Sequence, residues 1–394
     1  MRLGIQRLVV VTLNTDFEKL KNIFITCNVD KAEATVLADR ERILKEIKAS
    51  MPFKEMNEKI KKALIDSARI EVQRVKNSGE ATITKVRTIE KLVKMLAFVS
   101  NYKEAEFFAQ KSFDTCKEAF GLEHSETATA LHNLATVLDD MQKYGDAKKY
   151  YRQALKTRRA LLGSKHLDTA ASLHNLAFLM TNMGAYEKAT LYFEEALEIR
   201  KNELGTEHAD TATTLHYFAT LLRKLKKYDE AKSLYDQSYA IRQKLYGQNH
   251  PSIATSLNNL GALLNDMGQH EKAKLNCLEA LKIREEVFGH EHPNTASALN
   301  NFGVMLTDMK EYDNAESYLQ KSLDIHRILD PDHTSTATSL HNLGFLFENM
   351  EQYEKAKSHY QQALKIREKV LGSKHSDTIK TFNALTLLSN KIGE

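Results

Sequence analysis

The chain has 394 residues, 42% hydrophobic and 27% charged, with no Trp and 4 Pro; such a composition supplies a core and argues against disorder. The net charge of +4 is too small to argue by itself for nucleic acid or a membrane surface. It is unevenly spread: residues 1–100 hold 20 Lys+Arg against 13 Asp+Glu, or +7, leaving 36 − 39 = −3 for the other 294.

In chain order, residues 1–80 come first and do not repeat. Leu8–Leu13 and Asn22–Val29 are rich in β-branched and aromatic residues and predict two short strands. Thr35–Ile47 and Phe53–Lys76 predict helices, with Pro52 between them. Two strands and two helices make a poor independent domain, so this small mixed α/β N-terminal segment is consistent with the remnant of an upstream domain. Leu8–Leu13 is short for a signal-peptide core, and no stretch approaches the roughly 18–20 apolar residues of a membrane span. Cys27, Cys116 and Cys277 form no CxxC pair, which argues against a disulfide framework and for a reducing, cytoplasmic setting.

From residue 83 the sequence repeats itself. Histidines fall at 124, 166, 208, 250, 292, 333 and 375, at spacings of 42, 42, 42, 42, 41 and 42. A second ladder runs through Tyr102, Tyr144, Tyr186, Tyr228, His270, Tyr312 and Tyr353, each followed three residues later by alanine. Gly121, Gly163, Gly205, Gly247, Gly289 and Gly372 end the units, with Pro331 in the remaining slot. Within Ser125–Leu162, Ala128, Leu131, Leu134, Ala135 and Leu138 make one apolar stripe, and Ala147, Tyr151, Ala154 and Leu155 a second after a turn near Gln142–Gly145. Each unit therefore predicts two helices, with Ala135, Ala177, Ala219, Gly261, Gly303 and Gly344 where two backbones approach. A lone pair cannot bury its stripes, so the pairs must stack. The expected architecture is all-α: a degenerate first repeat at 83–121, six regular repeats over 124–372, and a capping helix at 376–391 whose Lys380, Lys391 and Glu394 suit an end facing water.

The pattern L-x-x-L-[AG]-x-x-[LF] followed by Y-x-x-A resembles a tetratricopeptide repeat, lengthened from the usual 34 residues. Leu257-Asn258-Asn259-Leu260, Ala280-Leu281-Lys282-Ile283-Arg284-Glu285 and Gly289-His290-Glu291-His292-Pro293 resemble the repeats of kinesin light chains. Nephrocystin-3-like proteins and the tails of some signalling NTPases carry similar arrays. The resemblance covers about residues 83–391 and implies a right-handed superhelical solenoid that serves as a protein-interaction adaptor. Kinesin light chains bind their heavy chain through a long heptad region; the 53–76 segment holds no more than about three heptads, which argues against that partner. The other reading is a sensor or regulatory tail of a larger signalling NTPase or other enzyme, and a third is a self-assembling structural array.

Sequence motifs for catalysis are missing: there is no GxxxxGK[ST], GxGxxG after a strand, HExxH or GxSxG. The ladder histidines lie one repeat apart, too far for a single metal, and His290/His292 read as loop residues rather than a metal pair. Cys277 takes the slot of Tyr151, Phe193, Tyr235 and Leu319 and reads as packing. No enzyme activity, metal or cofactor is expected.

A binding face is sought instead on the first helices. On a helical wheel with Ala128 at zero, the core stripe spans about 240–360° and Thr136, Thr129, Asp140 and Asn133 lie at about 80–140°. The Asn133 position runs Lys91, Asn133, Asn175, Tyr217, Asn259, Asn301, Asn342 and Ala384. An amide offers one acceptor and two donors, a match to the backbone of an extended peptide; proteins that this chain resembles use groove asparagines in that way. The alternative is that these amides bond a neighbouring helix. Arg87, Lys91 and Lys94 at one end, with Tyr217 and Lys224, favour a partner peptide carrying acidic residues, while Asp140, Asp266 and Asp308 oppose it farther along. Arg158, Arg200, Arg242, Arg284, His326 and Arg367, near the ends of second helices, read as structural cations that suit the helix dipole and bond terminal carbonyls. The alternating charges of Glu194–Lys201 read as a solvated face.

Overall fold

A computed structural model of the chain describes residues 82–98, 101–373 and 375–393, together with 66, 69, 70, 72 and 73. Every regular element among them is an α-helix. In order these are α1 (Thr82–Phe98), α2 (Tyr102–Phe120), α3 (Ser125–Asp140), α4 (Tyr144–Leu162), α5 (Leu167–Asn182), α6 (Tyr186–Leu204), α7 (Ala209–Lys224) and α8 (Tyr228–Tyr246). They continue as α9 (Pro251–Asp266), α10 (His270–Phe288), α11 (Pro293–Asp308), α12 (Tyr312–Leu329), α13 (Thr334–Asn349), α14 (Tyr353–Leu371) and α15 (Ser376–Ile392). The two expected strands and the helix Thr35–Ile47 lie outside the described residues; within Phe53–Lys76, the described positions Asp66, Arg69, Ile70, Val72 and Gln73 are helical.

The chain divides into two compact units, and the division falls between Ile241 and Arg242 inside α8. In each unit a first helix packs most closely on the second helix of its own pair, and that second helix then packs on the next first helix. This is the stacking that the periodic stripes require. In the first unit Ala128, Leu131, Leu134 and Ala135 of α3 are buried with Ala147, Tyr151 and Ala154 of α4. In the second, Leu340, Leu343, Gly344 and Phe347 of α13 meet Ala356, Tyr360 and Ala363 of α14 within one apolar cluster that runs from Leu264 to Leu388.

Three recurring contacts set the joints. Each ladder histidine is an N-cap: Nδ1 accepts the backbone N–H two residues on, at 3.1 Å for His166 with Asp168 and 3.0 Å for His292 with Asn294. Glycine ends the second helices at φ near +80 to +90° and ψ near 170°, as at Gly163 (φ 91, ψ 166), a region closed to side chains with a Cβ. A threonine in the next first turn then clips the glycine carbonyl, Thr169 to Gly163 at 2.9 Å and Thr295 to Gly289 at 2.8 Å. The 41-residue unit lacks this glycine; extended Asp330 replaces it, and Thr336 bonds its carbonyl at 2.6 Å.

The small position of the first helices also has its expected reason. A Cβ on Gly261, Gly303 or Gly344 would stand 2.5 Å from Cys277 Sγ, 2.6 Å from Leu319 Cγ and 2.7 Å from Tyr360 Cδ1 respectively. The last helix departs from expectation. Lys380 is exposed and Lys391 bonds Glu348 at 2.6 Å, while Glu394 lies outside the described residues. Ile379 and Phe382, however, are 45% and 55% exposed. They occupy the places of Ala128 and Leu131, which are fully buried; among the described residues no second helix pairs with α15 as α4 pairs with α3, and the face of this cap is apolar and exposed at those positions. Among the described residues no helix is long and apolar enough to cross a membrane.

Candidate functional site

The first-helix face is built by what lies beneath it. Arg158 reaches from the end of α4 across to α5, its Nη1 donating to the Asp168 carbonyl at 3.1 Å and to Ser172 Oγ at 2.8 Å, while Nη2 donates back to Thr129 Oγ1 of α3 at 3.2 Å. Arg200 repeats this with the Asp210 carbonyl and Thr214, Arg242 with Ser252 and Ser256, and Arg367 with Asp377, Thr381 and Thr338. His326 takes the same place with a neutral ring, Nδ1 against Ser339 Oγ at 2.9 Å. The row is structural, but the reason differs from the expected one. The guanidiniums bond the first turn of the following helix, not the carbonyls that end their own, because a five-donor fork spans the joint between pairs. Burial lowers the pKa of Arg158, Arg200 and Arg367, and the nearby Asp168, Asp210 and Asp377 counter it.

The ladder asparagines stand above this layer. Asn133 Nδ2 donates to Glu90 Oε1 of α1 at 3.0 Å, Asn175 Nδ2 to His132 Nε2 of α3 at 3.0 Å, and, in the second unit, Asn342 Nδ2 to Asn300 Oδ1 of α11 at 3.0 Å. Each amide thus ties its helix to the previous pair, as the alternative reading expected. The carbonyl oxygen Oδ1 of all three accepts no hydrogen bond among the described residues. Asn133, Asn175, Asn259 and Asn342 are half-buried and Asn301 is exposed. Tyr217 interrupts the row and packs edge-on against His174 and Phe178, with ring centroids 5.3 and 5.1 Å away. Arg87, Lys91 and Lys94 are exposed on α1, as is Lys224 at the end of α7. Arg87 lies 3.6 Å from Glu126. Asp140, Asp266 and Asp308 are exposed at the C-terminal ends of their helices; burial, then Asp266, raises the pKa of Asp308.

Sequence reading missed the residues just before the ladder: Glu90, His132, His174, His216, Asn258, Asn300 and His341. His132, His174 and His341 are neutral, their pKa values driven to about 3 by burial and then by the Arg158, Arg200 and Arg367 charges respectively. Each faces an aromatic ring of its partner helix: Tyr151, Phe193 or Tyr360, as His216 faces Tyr235. Where that partner is Cys277 or Leu319, the residue is Asn258 or Asn300. This pairing is present in the sequence as a correlation between two positions 19 residues apart.

The remaining candidates are spoken for. His292 caps α11 through Nδ1 while exposed His290 lies 3.2 Å from Glu285, so the two do not converge. Among the described residues no cluster of three or more metal-ligating side chains occurs. Burial pushes the thiols of Cys116 and Cys277 up to about 12 and about 11, the opposite of an activated nucleophile. The charges of second helices are not all merely solvated: Arg159 bonds both oxygens of Glu195 at 2.6 Å across neighbouring pairs.

A family model for the tetratricopeptide repeat matches overlapping segments from residue 86 to residue 389. The chain belongs to the tetratricopeptide repeat family. No curated protein sequence matches it significantly. Among solved structures it is similar to BtubC (BKLC) of P. vanneervenii, with 23% identity, a TM-score of 0.51, and coverage of 57% of this chain and 91% of that one. It is also similar to apo RapI (17% identity, TM-score 0.54, 70% and 94% covered) and to a Rap protein complexed with Competence and Sporulation Factor (11%, 0.56, 84% and 94%). At these identities the likeness concerns the fold. A tetratricopeptide solenoid is a scaffold fold, consistent with protein–protein interaction.

Proposed function

We propose that this protein is a non-catalytic, kinesin light chain-like adaptor that holds an extended, acidic segment of a partner protein against its first-helix face. Within the first unit Asn133 and Asn175, and within the second Asn259, Asn301 and Asn342, bond the backbone of such a segment. Tyr217, Arg87, Lys91, Lys94 and Lys224 select its side chains. The observation that carries the reading is the orientation of the amides. An N–H given to the preceding pair fixes the amide plane and leaves Oδ1 to accept from a ligand. A preoriented acceptor costs less ordering on binding than a free side chain does. The repeat then sets the spacing, and the ligand's backbone needs no particular sequence to match it.

The test is selection of a displayed random-peptide library on the full chain, followed by affinity measurements on the Asn175→Ala and Asn259→Ala/Asn301→Ala variants. Loss of at least tenfold in affinity with unchanged helicity supports the reading. Selected peptides that bind all variants equally overturn it.

A further inference from the structure

The second helices share one repeated solvent-side stripe, and α10 departs from its pattern. On α10 the stripe is Glu271, Leu275, Leu278 and Lys282, at steps of four, three and four residues. At 100° per residue the four lie within about 60° of one another, the narrow seam of a helix-to-helix contact. All four are exposed, Glu271 by 87% of its side chain, Leu275 by 67% and Leu278 by 42%. The two middle places are Lys149 and Arg152 on α4, Leu191 and Glu194 on α6, and Ser317 and Gln320 on α12. Among the described second helices α10 alone carries an apolar residue at both. A single exposed leucine needs no account, but two adjacent ones between opposite charges do.

The seam beside this stripe is open. Between α4 and α6 the Arg159 guanidinium bonds both oxygens of Glu195 at 2.6 Å. The same places between α10 and α12 hold Glu285 and Lys321, which do not pair. Glu285 lies 3.2 Å from His290, and the Lys321 ammonium stands 5.8 Å from the centroid of the Tyr318 ring. An open cavity of about 660 Å³ results, walled by Leu278, Lys282 and Tyr318 over Leu281, Leu299 and Ile325. Leu278 belongs to both stripe and cavity, so the two make one apolar surface within the second unit.

The stripe is its own complement. A two-fold axis beside α10, between residues 276 and 277, sets α10 of a second copy antiparallel to the first. Glu271 then faces the second copy's Lys282, and Leu275 the second copy's Leu278, each pair formed twice. Four leucines meet at the centre, and a Glu–Lys pair closes each end, about 17 Å apart. Parallel helices would instead set Glu271 on Glu271 and Lys282 on Lys282, which like charge forbids. Both charges are free to pair: Lys282 has no acid partner among the described residues, and Glu271 has only Lys274 at 3.3 Å, itself held by Glu311.

We propose that the protein forms a closed homodimer through α10 in this register, with Leu275 of each copy seated at the mouth of the cavity beside the other's Leu278. The occupant is a second copy because the charge order along the stripe matches its own reverse. An isologous contact is used up by two copies, so assembly stops at the dimer. One helix overlapping over Glu271–Lys282 buries less than the roughly 1,600 Å² of a standard interface, so association is reversible and depends on concentration. The ladder asparagines stand on first helices, so this inference does not depend on the adaptor reading.

Sedimentation equilibrium of the full-length chain, from about 1 to about 200 µM, reads the association. Glu271→Lys and Lys282→Glu each set like charges at both ends and are expected to weaken it by about tenfold or more, with helicity unchanged. The double variant Glu271→Lys/Lys282→Glu restores both pairs and is expected to associate as the wild type does. An equimolar mixture of the two single variants is expected to form heterodimers where neither alone dimerises. Leu275→Asp, at a site exposed in the single chain, is expected to abolish association. A wild type that stays monomeric throughout overturns the proposal. Association that Leu275→Asp leaves intact overturns it as well, by placing the contact elsewhere. Failure of both the double variant and the mixture to recover overturns the register.

Discussion

His132 stands edge-on to Tyr151, ring centroids 5.2 Å apart, and takes the amide N–H of Asn175 on Nε2 at 3.0 Å. An amide nitrogen only donates, so the ring proton resides on Nδ1, a buried atom with no hydrogen-bond partner. One neutral imidazole therefore joins α3, α4 and α5, and its neutrality is a condition of the joint.

Acid should loosen the array. In the folded chain His132, His174 and His341 titrate near 3 and His292 and His326 near 4, against about 6.5 for an unperturbed histidine. Between those values the unfolded chain binds protons that the folded chain refuses. Stability is therefore complete above about pH 6.5 and falls below it, by about 1.4 kcal/mol per pH unit for each of the deepest three. Asp139, raised to about 7 by burial and Asp140, acts in the opposite direction, as do Glu90, Asp140 and Asp308, which burial also raises; these four carboxyls oppose seven histidines whose pKa values burial lowers. The thermal midpoint should drop steadily from pH 6.5 to pH 4, and less steeply in His174→Asn. A midpoint that stays constant across that range refutes the argument.

Gly344→Ala should destabilise the second unit despite the better helix propensity of alanine, worth about 1 kcal/mol. Tyr151 sits opposite Ala135 and anchors its hydroxyl on Thr136 at 3.0 Å, whereas Tyr360 reaches Glu348 instead, at 3.0 Å. A methyl group on residue 344 would meet the Tyr360 ring at 2.7 Å and displace it from that bond. A net loss of about 1–2 kcal/mol is expected in urea unfolding. A gain would mean that the ring moves freely.

The arginine row should divide by cost. Arg158→Met leaves the Asp168 carbonyl, Ser172 and Thr129 without their donor and should destabilise by about 2–4 kcal/mol, with Arg158→Lys a poor rescue. Arg284→Met removes one bond at a half-buried site and should cost less than about 1 kcal/mol. Calorimetric melts of both variants compare them directly; equal losses would contradict the contrast.

Replacing a ladder histidine tests its capping role. His166→Ala removes the acceptor for the Asp168 N–H and should cost about 1 kcal/mol, while His166→Asn restores most of it, because asparagine caps by the same geometry. Matching melting temperatures for the two variants would show that the cap contributes little.

The helices are legible because apolar spacing is local. Ser125–Leu162 carries two stripes parted near Gln142, and α3 and α4 fill that span. What sequence alone does not reach is chemistry that depends on which neighbour lies closer. Arg158 has two sets of carbonyls within reach, and nothing in the residue order decides for Asp168 over the end of its own helix. His132 escapes notice because its wheel angle of about 40° lies between the core stripe and the outward face. A side chain there reaches sideways to the adjacent pair. The histidine ladder reads as punctuation, yet its capping role is hidden because serine, threonine, aspartate and asparagine usually fill that place.

The uncovered side of α15 bears on engineering. Ile379 and Phe382 are an exposed apolar strip at the places where first helices elsewhere are buried, so a second helix copied from α14 and joined after Gly393 is the graft whose apolar face this strip matches. Lengthening the array by one half-module at this face is the design that the exposed strip suggests.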